Sequence, residues 1–395
     1  MTFRQLFEKY KNGTASPEEI ALVEEELEKN EVINAYLASQ LLEQPSLSLP
    51  PENTPQLHQV KSSVRRKFWM MTALCCAIVL LLGFLVQAVA LPLYNNQFYN
   101  PAQTFKNGPD YTLPLDVDLQ IFTRLTCPGW TANSAHVQPL GLGKYNVTFS
   151  QSNPYSGQET HHLQVTRGEI PYPITAIPFH TAPAGVFYNR GPATTIYVDE
   201  FDGETTAQPE ETRQFYLEEV AQMPKGAYLS AFVSFQEDLS LEQLIALKEQ
   251  YPHFLFEWAA VRISDDWYFN EIGFPVEYGG IILEDIPDLA EYGPLDLNNA
   301  AWKEATPKEQ AELLEGFFTS MLSYLSTRDE FLQAFCNFNG ISAEYYRRAL
   351  GYVEENGVAV YGLLLSGRPE DMLAFCENPQ VNSFCVNGAK FSVLQ

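Results

Sequence analysis

Residues 68–91 read FWMMTALCCAIVLLLGFLVQAVAL, and no charged side chain occurs between Lys67 and Lys106. Only Thr72, Gly83 and Gln87 interrupt the apolar run. As a helix rising 1.5 Å per residue it would extend ~36 Å, enough to cross a ~30 Å hydrocarbon core with some tilt. Lipid offers the backbone no hydrogen-bond partners, so a segment of this kind must be helical. Core helices of water-soluble proteins rarely run past ~14 apolar residues in succession. Ala88-Val89-Ala90 looks like a small-residue cleavage site, but signal peptides carry a shorter apolar region close to the N-terminus. The run therefore reads as a membrane-spanning helix, with bilayer lipid around it.

The flanks give an orientation. Lys61, Arg65, Arg66 and Lys67 precede the run and no basic residue closely follows it, which places the N-terminus in the cytoplasm and the C-terminus outside. Trp69, Tyr94 and Tyr99 suit the two membrane interfaces. Of 24 basic and 49 acidic residues, 8 and 10 precede residue 68, so almost all of the net charge of −25 lies beyond the run. A surplus of carboxylates argues against direct nucleic-acid binding, which needs Lys and Arg for the phosphates. It suits basic protein faces.

The chain divides at composition shifts. Residues 1–45 read as a small helical module of three helices. Phe3, Leu6, Phe7 and Tyr10 recur at helical spacing, and Asn12-Gly13 ends that helix. Ser16-Pro17-Glu18-Glu19 is a capping box that opens a second helix, with Ile20, Val23 and Leu27 on one face and Glu24 and Glu25 among its glutamates. A third stretch carries Val32, Ile33, Tyr36, Leu37 and Leu41. So small a module buries little apolar surface by itself, which points to completion of its core on another protein. Residues 46–67 read as a Pro-rich, then basic, linker to the membrane.

Beyond the span, residues 92–215 read as a β-rich region. Strand character appears at 145–150, 162–166, 184–188 and 194–198, between many Pro, Gly and Asn. From 216 to 395 the pattern is α+β. Residues 227–235 alternate as a strand, Ser240-Leu241-Glu242-Gln243 caps a helix, and 254–263 form another strand. Strand 358–365, helix 369–375 and strand 381–386 repeat that β-α-β order, with helices opened by Thr306-Pro307 and by Ser342 between the two units. The fold class is α+β, a ferredoxin-like sandwich with a helical insert being the form two such units take.

Catalytic and metal signatures are missing. No His-x-x-x-His, Cys-x-x-Cys, His-Glu-x-x-His, Gly-x-Ser-x-Gly or phosphate-binding loop occurs, so no enzyme, cofactor or metal is expected. His161 and His162 are adjacent and point to opposite faces of a strand, so they do not chelate one ion as a pair. Ser366-Gly367-Arg368-Pro369 reads as a helix cap rather than an anion cradle. Cys376 and Cys385 are the pair a disulfide would join, against the alternative of buried thiols.

The opening FRQLFEKYKNGTASPEEIALVEEELEKNEVINAYL resembles the N-terminus of the membrane-bound sigma factor regulators of Firmicutes. The resemblance rests on Phe7-Glu8-Lys9-Tyr10-Lys11, Gly13, Ser16-Pro17-Glu18-Glu19 and residues 24–27. At the other end it rests on Gly226-Ala227-Tyr228-Leu229-Ser230, the capped helix from Ser240, Gly273-Phe274 and residues 356–362. It is weak over 92–215, and the His-x-x-x-Cys-x-x-Cys of the zinc-binding anti-sigma factors is absent. The resemblance implies a membrane-anchored anti-sigma factor whose cytoplasmic helices hold an extracytoplasmic-function sigma factor under control of the outer domain. Phe3, Leu6, Phe7, Tyr10, Ile20, Val23 and Leu27 would be its apolar anchors, with Glu24 and Glu25 in the electrostatic rim. The alternative is an envelope binding or scaffold protein with a different cytoplasmic partner. An adjacent gene for a small sigma factor would separate the two.

Overall fold

The computed structural model describes residues 3–42, 54–95, 97–107, 110–170, 179–183, 186–188, 208–265, 271–277, 287–295, 297, 299–336 and 341–391. Contacts divide the chain into two compact units, residues 1–83 and 84–395.

The first unit begins as a helical hairpin. Helix α1 (Phe3–Lys11) turns through Gly13, at φ +69°, into α2 (Pro17–Leu42). The turn needs a left-handed residue, which glycine adopts without a Cβ clash. The capping box at Ser16 forms as expected. The Ser16 N–H donates to Glu19 Oε2 at 2.9 Å, and the Glu19 N–H donates to Ser16 Oγ at 3.3 Å. Lys9 Nζ, 3.0 Å from Glu19 Oε1, ties the first helix to the second. The expected second and third helices are one continuous helix. No Gly or Pro lies between Pro17 and Leu42, so nothing breaks the ladder at Lys29-Asn30-Glu31.

Helix α3 (Thr54–Leu85) starts before the apolar run, with Pro55 in its first turn, so most of the expected linker is helical. It passes through one π turn (Val86–Ala90) into α4 (Leu91–Asn95). The widened turn lies just before Pro92, which has no N–H to donate and whose ring crowds the carbonyl four residues back. The Leu91 N–H bonds instead to the Val86 carbonyl. Residues Val64–Asn95 make a helix long and apolar enough to cross a membrane, and none of its apolar window is buried in the protein. Inside it, Thr72 Oγ1 donates to the Phe68 carbonyl at 3.0 Å, which satisfies the hydroxyl where lipid would not.

The second unit is α+β. A short ladder of β1 (Phe105–Asn107) and β2 (Asp110–Thr112) leads into α5 (Pro114–Thr126). Next comes an antiparallel sheet of β3 (Thr131–Ala132), β4 (His136–Gly141), β5 (Lys144–Asn153) and β6 (Gly157–Thr166). Its central strand is β5, with β6 along one edge and β3 and β4 sharing the other. Here β5 and β6 confirm the strands expected at 145–150 and 162–166. Of the strand expected at 184–188, the described residues 186–188 are irregular, and 194–198 lies outside the described residues.

After α6 (Glu210–Ala221) comes the first β-α-β unit: β7 (Ala227–Ser240), α7 (Leu241–Gln250) and β8 (Leu255–Val261). Short β9 (Gly273–Phe274) follows, then a helical insert of α8 (Asn299–Glu304), α9 (Pro307–Leu325), α10 (Asp329–Cys336) and α11 (Ala343–Asn356). The second unit is β10 (Ala359–Gly367), α12 (Pro369–Cys376) and β11 (Val381–Phe391). The strand order is β11-β7-β10-β8-β9, antiparallel at every pairing. Both strands of each β-α-β unit are therefore parallel to one another with a strand of the other unit between them, the ferredoxin-like arrangement. Capping boxes at Ser240 and Thr306 close with both reciprocal bonds, and Gly357, at φ +79°, ends α11.

One core runs through this unit. Phe122 of α5 lies 6.2 Å from Phe331 of α10, and Phe187 packs edge-on against Phe232 of β7 and Tyr361 of β10 at 5.3 and 5.4 Å. Residues on both sides of position 215 thus share a single interior. That explains why β7 is buried on both faces rather than alternating.

Candidate functional site

On the N-terminal hairpin the nine expected contact residues divide into an inner seam and an outer face. Val23 is fully buried between the helices, and Leu6, Tyr10 and Ile20 are half-buried around it. Val23 thus lies in the hairpin's own interior rather than on its outer face. Phe3 and Phe7 face outward, 48% and 38% exposed, and Leu27 is 42% exposed. The three α1 rings form a ladder, Phe3 to Phe7 at 6.3 Å and Phe7 to Tyr10 at 6.4 Å, because positions three and four apart share a helix face. Glu24 and Glu25 are exposed, and Glu25 pairs with Lys29 at 2.8 Å across one turn. That cation and its hydrogen bond hold the Glu25 carboxyl below its ordinary value.

Sequence reasoning missed most of the outer face. Leu22, Val32, Ile33, Tyr36 and Leu37 of α2 are all more than 49% exposed. Val32, Ile33, Tyr36 and Leu37 fall at helical spacing, so they make one stripe. The signal was present as the apolar "third helix", which the structure joins to the second as one continuous α2. Among residues 3–39 only Val23 is buried. The hairpin thus has a slight interior beside a wide exposed apolar surface.

In the second unit the polar groups that matter are internal. Asp118 of α5 is wholly buried and accepts four hydrogen bonds. Arg328 holds it in a two-pronged grip, Nε at 2.7 Å and Nη2 at 2.9 Å, and the hydroxyls of Tyr324 and Tyr99 add bonds of 2.8 and 3.1 Å. Burial, with the Asp118 charge next in weight, raises both tyrosines well above their ordinary value. This clasp joins α5 to the helical insert and to the chain four residues past α4. Nearby, Trp258 Nε1 donates to the Arg124 carbonyl at 2.8 Å.

A cleft of ≈ 460 Å³ opens beside it, lined in part by Arg124, Trp130, Asn153, Glu257, Trp258 and Glu277. At its wall the Tyr155 hydroxyl donates to Ser366 Oγ at 2.6 Å, and Ser366 in turn donates to Glu257. Burial pushes the Glu257 carboxyl up. Ser366 is fully buried and bonded at both ends, and Arg368, not Ser366, stands at the α12 N-cap without a side-chain cap bond. With the Glu257 carboxylate against it, the 366–369 segment has no cradle for an anion.

All six cysteines are free thiols. Cys376 and Cys385 are therefore no disulfide here. The Cys385 sulfur receives Gln208 Nε2 at 3.4 Å, and the Cys376 carbonyl is taken by Arg213 Nη2 at 2.7 Å. Burial pushes these thiols up to about 11 and about 12, out of the reactive range. The histidines at 161 and 162 do point to opposite faces. His162 Nδ1 lies 3.1 Å from Thr148 Oγ1, whereas His161 turns toward Glu159 and His180. That gathering escaped the sequence reading because His180 comes from a separate segment. Glu159-x-His161, two donors on one face of a strand, was the only local signal for it.

The comparisons with known proteins bear on both ends of the molecule. Residues 220–387 match the family described as "Sigma factor regulator C-terminal", a span that runs from the end of α6 through the helical insert and into β11. Over 392 residues, 96% of each chain, the sequence is 22% identical to a protein of Bacillus subtilis (strain 168) named "Probable anti-sigma-M factor YhdL". No solved structure matches. Residues 220–387 are thus similar to the sigma factor regulator C-terminal family, and the chain along nearly its whole length is similar to a Bacillus protein named as a probable anti-sigma factor.

Proposed function

We propose that this chain is a membrane-anchored anti-sigma factor that sequesters an extracytoplasmic-function sigma factor on its N-terminal hairpin and is controlled by its C-terminal unit. The observation that carries the reading is the hairpin's uncovered apolar face, Phe3, Phe7, Leu22, Leu27 and the stripe from Val32 to Leu37, set among exposed glutamates. Sigma factors present basic and apolar surfaces to DNA and polymerase, and a carboxylate-rimmed apolar face suits such a surface. The relative's name, which pairs that protein with a sigma factor, supports a partner of the same class here. The single apolar helix and the basic residues preceding it support a cytoplasmic hairpin and an extracytoplasmic C-terminal unit. Its role is regulatory rather than enzymatic.

Binding of the detergent-purified full chain to the extracytoplasmic-function sigma factors of its own organism tests the proposal. Phe7→Ala removes an outward anchor and should weaken binding by ~2 kcal/mol, roughly thirtyfold. Val23→Ala should act instead through helix content, read by circular dichroism. If Phe7→Ala and Leu27→Ala both keep their helicity and bind as the parent does, this face is not the contact. Failure of the parent to bind would end the anti-sigma reading.

A further inference from the structure

Glu159, His161 and His180 bring three ligand atoms within 4.8 Å of one another at the edge of the β3–β6 sheet. Glu159 and His161 stand two residues apart on β6, so both side chains leave the same face of the strand. His180 arrives from another segment, and its position is set by its neighbours. Phe179 is 5% exposed and packs on Phe122 at 4.5 Å and Phe149 at 6.0 Å, which anchors the backbone beside it. The His180 ring lies flat on Trp130, centroids 3.9 Å apart and planes within 7°.

His180 Nε2 is 2.9 Å from Glu159 Oε2, and His161 Nε2 is buried without a hydrogen-bond partner. An unmatched buried imidazole nitrogen beside a carboxylate and a second imidazole is costly as it stands. It is well matched by a cation that accepts a lone pair from each. Two histidines and one glutamate are the donor set of three-ligand zinc sites that keep a fourth position open. A tetrahedral ion at ~2.0–2.1 Å from each donor would set the three atoms roughly 3.4 Å apart, parting the Glu159–His180 pair slightly and bringing His161 closer, a side-chain adjustment of about 1 Å.

The geometry points to a divalent transition-metal site, of the zinc type, formed by Glu159, His161 and His180. Its occupancy pins the segment carrying Phe179 and His180 to the β-sheet, and water or an exogenous ligand fills the fourth position. The inference is independent of the sigma-factor reading.

The test uses the detergent-purified full chain, stripped with chelator and titrated with Zn²⁺ or Co²⁺ alone. The expected result is one saturable equivalent per chain, a Co²⁺ visible spectrum of four-coordinate intensity, and a higher melting temperature with Zn²⁺. His161→Ala and His180→Ala should each weaken binding by ~100-fold or more and abolish the spectrum, with Glu159→Gln as the variant closest in shape should either fail to fold. His162→Ala, whose ring lies on the opposite face, should bind as the parent does. Absence of saturable binding would overturn the site, leaving a plain His180–Glu159 ion pair. Equal binding by the His161→Ala and His180→Ala variants would overturn it too.

Discussion

Replacing Asp118 with alanine removes the acceptor at the centre of the second unit. Arg328 loses a two-pronged partner, and the Tyr99 and Tyr324 hydroxyls lose theirs. Breaking a buried ion pair from one side typically costs ~3–5 kcal/mol, because the remaining charge stays out of water without compensation. The Arg328 side chain is 25% exposed and can turn partly to solvent, so the lower end, about 3 kcal/mol, is expected. At ~2–4 °C per kcal/mol, that is a fall of about 6–12 °C in the melting temperature of the unit. Asp118→Asn keeps one carbonyl acceptor for a tyrosine and should fall between the two. Trp258 provides the readout, since it is 1% exposed and bonded to the same helix through the Arg124 carbonyl. Thermal unfolding of the full chain followed by tryptophan fluorescence measures the shift. A Asp118→Ala protein melting within ~2 °C of the parent would refute the reasoning, because it would mean the grip contributes no net stability.

Gly273→Ala should be more damaging still. A Cβ there would stand 1.9 Å from the Ala259 carbonyl oxygen, so β8 and β9 would have to part, and the folded yield and resistance to proteolysis should collapse. Glu257 should give the unit a pH dependence. Its folded pKa lies above the ordinary 4.5, so its contribution to stability falls as pH rises from 4.5 through the folded value and stays low above it. Glu257→Gln should remove that slope and raise the melting temperature at neutral pH. Parallel pH profiles for the two proteins would contradict the assignment. Reversing Glu24 and Glu25 to lysine should slow association with the sigma factor more than it speeds release, an effect that shrinks in high salt. A reporter fused after Gln395 should be active only outside the cell.

Elements whose cause is local were legible from the residues alone. The apolar run needs no tertiary context to be a helix, and the capping boxes at Ser16, Ser240 and Thr306 close within four residues of chain. Both β-α-β units could be read because their strands and turns alternate in sequence, but their interleaving is a matter of pairing between strands far apart in the chain, as Val360 pairs with Val261 and Leu363 with Val233. Helix α5 was invisible for a related reason. Twelve of its residues are buried, Asp118, Gln120, Thr123 and Arg124 among them, so its polar residues mark no solvent-facing side. Its polar groups are tolerable only because partners from distant segments meet them, as Arg328 and Tyr324 meet Asp118. The same rule governs the sites. The apolar residues of the hairpin were visible by spacing, yet only packing decided that Val23 turns inward and Phe7 outward. Glu159 and His161 shared a strand face in the sequence, and it took the fold to bring His180 to them. Spacing along a chain specifies direction within one element, and proximity between elements is set by which surfaces exclude water together.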